Sequence, residues 1–235
     1  MTDSAKTLIA ALLDRSGSMN TSVEGTEDGW RELISAQRAN PGQCQVTLAQ
    51  FDQEYEVLYP PTDIAAVPEF VRHRRGRTAL LHAAGRSRTE VREALSALPG
   101  PQRPGQVICL IMTDGMENAS HQWTWQTVKA LITRQRDVYG WEFIFLGADI
   151  DAVEVGGRLG VGGKFSMTYD KHDYDNNRAA FASTTAVIGA KRRRASHGDD
   201  GFSDVDRKKA TGQQPPSGAP RSRPSARPSP CPSPR

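Results

Sequence analysis

The stretch "DRSGSM" (14–19) places a carboxylate and two hydroxyls on alternate positions, Asp14, Ser16 and Ser18, where the apolar run "TLIAALL" gives out. Two further oxygen-bearing residues stand in comparable places. Thr78 lies in a polar loop ahead of an amphipathic run, and Asp114 follows the apolar run "VICLIM" within "TDG" (113–115). Carboxylates and hydroxyls are hard oxygen donors, and with no His or Cys among them the set suits Mg²⁺, or Mn²⁺ and Ca²⁺, rather than zinc or copper. Two carboxylates brought within a few Å of each other repel and raise one pKa, so a divalent cation is the simplest account of their convergence. Taken alone, D-x-S-x-S fits equally a turn whose short polar side chains cap a helix. A calcium EF-hand loop is excluded. Counted from Asp14, its sixth position needs Gly and has Met19, and its twelfth needs Glu and has Gly25.

These residues need elements to hold them, and the chain alternates strand and helix patterns. "TLIAALLD" (7–14), "CQVTLAQFD" (44–52), "QVICLIMTD" (106–114) and "WEFIFLGAD" (141–149) are short, continuously apolar runs, the mark of strands buried on both faces of a parallel sheet. "YEVLYPP" (55–61) follows the second run after a brief polar break and predicts an antiparallel edge strand; "KFSMTYD" (164–170) predicts a last edge strand. Helical spacing covers 29–40, 75–98, 124–140, 150–159 and 175–190, with a short helix over 63–71. The expected fold class is α/β: a doubly wound, mostly parallel central sheet with helices on both faces. Such sheets bind ligands beyond the carboxyl ends of their strands, where the winding reverses, and Asp14, Thr78 and Asp114 all fall at such ends.

Asp14-x-Ser16-x-Ser18, a distant Thr78 opening a helix and Asp114 in "TDG" resemble the metal-ion-dependent adhesion site (MIDAS) of von Willebrand factor A (vWA) domains. The order of the motifs and the strand–helix alternation match over residues 7 to about 160. The resemblance implies a Rossmann-like vWA fold. It also implies Ser16 and Ser18 as direct metal ligands, Thr78 as a ligand in the liganded state, and Asp14 and Asp114 acting directly or through water. The metal of that family keeps a position open for a carboxylate of a partner protein, which implies a non-enzymatic protein-binding module with an unidentified acidic partner. Two positions depart from the pattern: Gly76-Arg77-Thr78 stands where Gly-Gly-Thr is frequent, and His82 where an aspartate is common four residues after the threonine. Neither is a ligand position, though Arg77 adds positive charge beside the site. "TDGMENAS" resembles a bacterial and phage branch of these proteins.

Other features carry weaker readings. Asp149 and Asp151 fit helix caps better than a share in the cation site. Glu117 and Asn118 fit the rim of the site or a solvated loop equally. Trp123 and Trp125 fit burial against the sheet, and "GGRLGVGG" (156–163), lacking a GK[ST] ending, fits a turn-rich connection rather than a phosphate loop. No histidine pairs with a Ser or Cys in a nucleophile setting, and "RSGSM" is not a G-x-S-x-G elbow. A metal-dependent phosphotransferase or hydrolase built on the sheet-end aspartates is the enzymatic alternative, but position 16 is serine where a D-x-D pair would be needed.

Charge divides the chain. Residues 191 to 235 hold eleven Lys/Arg against four Asp/Glu, leaving 19 against 23 in residues 1 to 190, so the body is mildly acidic and unlike a nucleic-acid binder. Eight of the fifteen prolines follow residue 212. That composition divides the chain into a domain over 1–190, vWA-like by the resemblance, and a basic, Pro/Ser/Arg-rich disordered tail over 191–235, whose "KRRR" (191–194) fits contact with nucleic acid or anionic lipid no better than a solubilising extension. Three scattered cysteines make no disulfide framework. The N-terminal apolar run is too short for a signal peptide, and none approaches the roughly 18 to 20 residues of a membrane span, so a soluble cytoplasmic protein is expected. If the first strand lies between the second and fourth, Cys44 and Cys109 are too far apart to be bridged.

Overall fold

The computed structural model describes residues 2–17, 23–70, 78–114, 117, 119–193 and 201–213. A six-stranded sheet is built from β1 (Asp3–Asp14), β2 (Gln43–Phe51), β3 (Tyr55–Asp63), β4 (Pro104–Thr113), β5 (Glu142–Ala148) and β6 (Ser166–Tyr169) in the order β3-β2-β1-β4-β5-β6. All neighbours are parallel except β2 and β3, which form the antiparallel edge. The sheet winds one way from β1 to β2 and the other way from β1 to β4, so the reversal falls between β1 and β4, the strands that end in Asp14 and Thr113.

Helices cover both faces. The α1 (Val23–Arg38) and α5 (Tyr174–Arg193) helices pack over one face, and α2 (Leu80–Ala97), α3 (Trp125–Tyr139) and α4 (Ala152–Leu159) over the other. Alternation along β1 sorts the two cores: Ile9, Ala11 and Leu13 face Trp30, Leu33 and Phe181, whereas Leu8, Ala10 and Leu12 face Leu80, Ala84 and Val128. Both sets are buried, hence the continuously apolar run. The α1–α5 contact is close because position 29 is glycine; a Cβ there would lie 2.4 Å from the Phe181 ring. Local signals fix the helix ends. Thr124 caps α3 by accepting the Thr127 N–H, Gly140 (φ +67°) closes it, and Asp151 accepts from the Val153 and Glu154 N–H groups at the start of α4. Cys44 and Cys109, both free and buried, lie on strands either side of β1 and in different cores, as the strand order requires.

Three expectations are corrected. Over 63–70 the only helical piece is a 3-10 turn, Ile64–Ala66, capped by Asp63, and residue 71 of the expected helix lies outside the described residues. Asp149 is no helix cap; it takes a left-handed backbone (φ +53°) and faces the β6–α5 loop instead. Composition assigns everything after 190 to the tail, but α5 continues to Arg193 and a further helix, α6 (Asp204–Ala210), packs on the domain. Phe202 and Ala210 are buried in the α1/α5 core, and the Asp170 N–H donates to the Ala210 carbonyl beyond the end of the β6 edge. Ser203 and Asp206 cap α6 reciprocally, and Ser183 of α5 donates to Asp206.

Candidate metal centre

The centre forms where β1 and β4 end side by side. Asp14, the last residue of β1, is 1% exposed. Its Oδ1 accepts the Ser16 N–H at 2.7 Å, a local turn that follows from a carboxylate two residues before an amide. Its Oδ2 accepts the Thr113 hydroxyl at 2.5 Å, across the β1–β4 boundary. Burial pushes the Asp14 carboxyl up to about 6, opposed by the Thr113 and Ser16 hydrogen bonds and reinforced by the charge of Asp114. The Ser16 hydroxyl, also buried, donates to Asp114 Oδ1 at 3.3 Å. The two carboxylates are thus linked through one serine.

Asp114 has a side chain with no exposure, and its Oδ2 lies 2.8 Å from the Lys171 ammonium, contributed by the β6–α5 loop. Thr78 is buried immediately before α2. It is placed by contacts on either side of the sheet reversal. The Ala79 N–H donates to the Asp52 carbonyl beyond β2 (2.9 Å), and the Leu81 N–H donates to Glu117 Oε2 in the loop beyond β4 (2.7 Å). Ser18, Arg77 and Asn118 lie outside the described residues.

Sequence reasoning missed the residues that brace this edge. Arg15, between Asp14 and Ser16, is 4% exposed; its Nε donates to buried Asp52 at 3.1 Å and its Nη1 pairs with half-exposed Glu56. Its N–H donates to the Phe51 carbonyl, so one residue ties the ends of β1, β2 and β3 together. Glu117 is a clamp as well as a rim residue. Beyond Leu81 it accepts from the N–H groups of Ala119 and Ser120 and from the Ser120 hydroxyl, fastening its loop to the N-terminus of α2, where a negative charge is favoured. Trp123 packs on α2 at Gly85, and Trp125 lies under Arg158 at 3.9 Å, so both tryptophans brace helices.

The residues present fit a hard divalent cation. The donors are carboxylate and hydroxyl oxygens, and Asp114 already holds a positively charged group against a fully buried carboxylate. A softer ion would find no thiolate or imidazole among Asp14, Ser16, Thr78 and Asp114.

No protein-family model matches the sequence, and neither does any curated protein. The fold, however, is shared with solved vWA domains. Proximal thread matrix protein 1 from the mussel byssus superposes with a TM-score of 0.56 at 14% identity, over 80% of this chain and 47% of that one. A von Willebrand factor type A protein from Catenulispora acidiphila gives 0.53 at 14% identity, over 81% and 43%. The vWF domain of the pilus tip protein Mfa5 from Porphyromonas gingivalis gives 0.55 at 10% identity, over 85% and 98%. The chain therefore spans about half the length of the first two and nearly all of the third. The architecture is that of a vWA domain: a mixed six-stranded sheet with one antiparallel edge and helices on both faces. The mussel protein has also been solved with a zinc-occupied MIDAS motif.

Proposed function

We propose that this chain is a divalent-cation-dependent protein-binding module, in which Asp14, Ser16, Ser18, Thr78 and Asp114 hold Mg²⁺ (or Mn²⁺ or Ca²⁺) for the capture of an acidic side chain on a partner protein. The observation that carries this reading is the pair of buried carboxylates at the ends of adjacent strands, linked through Ser16, whose N–H donates to Asp14 and whose hydroxyl donates to Asp114, with a positive group against Asp114. An underligated hard cation supplies a coordination position for a carboxylate oxygen. The chain's own residues supply charge (Asp14, Asp114), neutral oxygens (Ser16, Ser18, Thr78) and rigidity (Arg15, Asp52, Glu117).

The zinc-occupied MIDAS of the mussel protein supports cation binding at this place in the fold. The byssus matrix protein and the pilus tip protein, with a pilus adhesin from Lactobacillus rhamnosus, support an adhesive rather than an enzymatic role. No helix among the described residues is long and apolar enough to cross a membrane. The test is capture of partner proteins by the immobilised chain in millimolar Mg²⁺ and in chelator, with Asp14→Asn as control. The expected result is a set of partners retained only by the wild type in Mg²⁺. Equal retention in chelator, or by Asp14→Asn, would overturn the reading.

A further inference from the structure

The Lys171 side chain is only 11% exposed and lies between two carboxylates, 2.8 Å from Asp114 Oδ2 and 3.7 Å from Asp149 Oδ2. A lysine free to enter water would stay there, because its ammonium is strongly hydrated and ordering its stem costs side-chain entropy. This one is held by its backbone. Its N–H reaches Asp149 Oδ1 at 3.4 Å, the Asp149 N–H donates to the Tyr169 carbonyl, and the Asp170 N–H donates to the Ala210 carbonyl of α6. The His172 N–H donates to Asp170 Oδ1, closing the loop from the other side. The left-handed conformation of Asp149, uncommon for a residue with a Cβ, turns its carboxylate toward this loop.

We propose that Lys171 is a tethered competitor of the divalent cation. Its ammonium and the metal claim the same carboxylate, Asp114, and Asp149 is the second seat to which the ammonium moves when the metal takes the first. The inference rests on the reading of the centre as a divalent-cation site. Both claimants are cations, and at a separation of a few Å inside a partly buried site they repel each other strongly, so full occupancy by one excludes the other. Asp149, already within 4 Å, lets the ammonium leave Asp114 without being stranded away from a carboxylate. The consequence is a raised threshold. The centre fills only when the metal is abundant enough to displace an internal ligand whose local concentration is fixed by the fold.

The test combines Mn²⁺ calorimetry on wild type, Lys171→Met and Lys171→Gln with amine acylation of wild-type Lys171, followed by mass spectrometry, in chelator and at saturating Mn²⁺. Both variants are expected to bind Mn²⁺ at least about fivefold more tightly, since they lose a competitor, and acylation of Lys171 is expected to rise several-fold as the metal saturates. An affinity gain below that, or acylation that stays level or falls, overturns the inference and leaves the metal site standing. Mn²⁺ binding to none of the three proteins overturns the metal site and the inference together.

Discussion

Thr113 donates its hydroxyl to Asp14 at 2.5 Å, joining the last residue of β4 to the last residue of β1 across the reversal point of the sheet. That bond holds a carboxylate in a place where burial disfavours its charge and raises its pKa from 3.8 to about 6. The folded chain therefore binds this proton more tightly than the unfolded chain. The stability that Asp14 contributes is fully present below its unfolded pKa and is lost as pH rises through about 6. Asp14→Asn removes that loss while keeping an acceptor for Ser16. In chelator at pH 7.5 the variant is expected to be more stable than wild type by about 3 kcal/mol, roughly 6 to 12 °C in Tm. The gap should close as pH falls toward 4, which thermal melts at both pH values would show. A variant less stable than wild type at pH 7.5 contradicts this electrostatic account.

The Arg15 brace predicts unequal effects from two similar carboxylates. Asp52 is 1% exposed in its side chain and Glu56 is 52% exposed. Asp52→Ala strands a buried guanidinium and is expected to cost about 3 to 5 kcal/mol. Glu56→Ala, on a solvent-screened pair, is expected to cost about 1 kcal/mol or less. Urea denaturation of the two variants measures the difference.

Gly85 reverses the usual helix preference. Alanine is ordinarily favoured over glycine inside a helix by about 1 kcal/mol. A Cβ at position 85, however, would lie 2.3 Å from the Trp123 ring. Gly85→Ala is therefore expected to destabilise by about 1 to 3 kcal/mol through overpacking, with a matching change in Trp emission on unfolding. A stabilised variant would show that α2 and the Trp123 loop are not packed as described.

Helix α6 sets where the chain can be shortened. Truncation after residue 200 removes buried Phe202 and Ala210, and the loss of Phe202 alone is expected to cost about 1.5 to 3 kcal/mol. Truncation after residue 213 leaves every contact of α6 with the described residues in place and is expected to keep the wild-type Tm. The second truncation keeps the basic run 191–194, so it asks only whether residues 214–235 contribute to nucleic-acid binding.

Much of this was legible in the sequence because buried parallel strands are continuous apolar runs and helix ends carry local chemistry. The six strands and the antiparallel edge at β3 follow from such signals, and strand ends at the reversal of the sheet put Asp14 and Asp114 on one edge. What stayed hidden has no local signature. The Lys171–Asp114 pair spans 57 residues and the Arg15–Asp52 pair spans 37, so no spacing rule finds them. Helix α6 did leave one: Ser203-x-x-Asp206 has the form of a capping box, set within a basic, proline-rich segment. Asp149 and Asp151 both end a strand just before a helix, so either fits its cap. Asp151 does that work, which leaves Asp149 to face Lys171 and His172.

A divalent-cation site at the buried carboxylates ending β1 and β4 ties metal binding to the stability of the fold. A thermal melt of wild type and Asp14→Asn at pH 7.5, in chelator and across a Mg²⁺ or Mn²⁺ titration, tests it most directly. At a hundredfold excess over the dissociation constant, binding stabilises the folded chain by about 2.7 kcal/mol, roughly 5 to 10 °C in Tm, and the account predicts that shift in wild type and its absence in Asp14→Asn. A wild-type Tm unmoved at millimolar metal would contradict it.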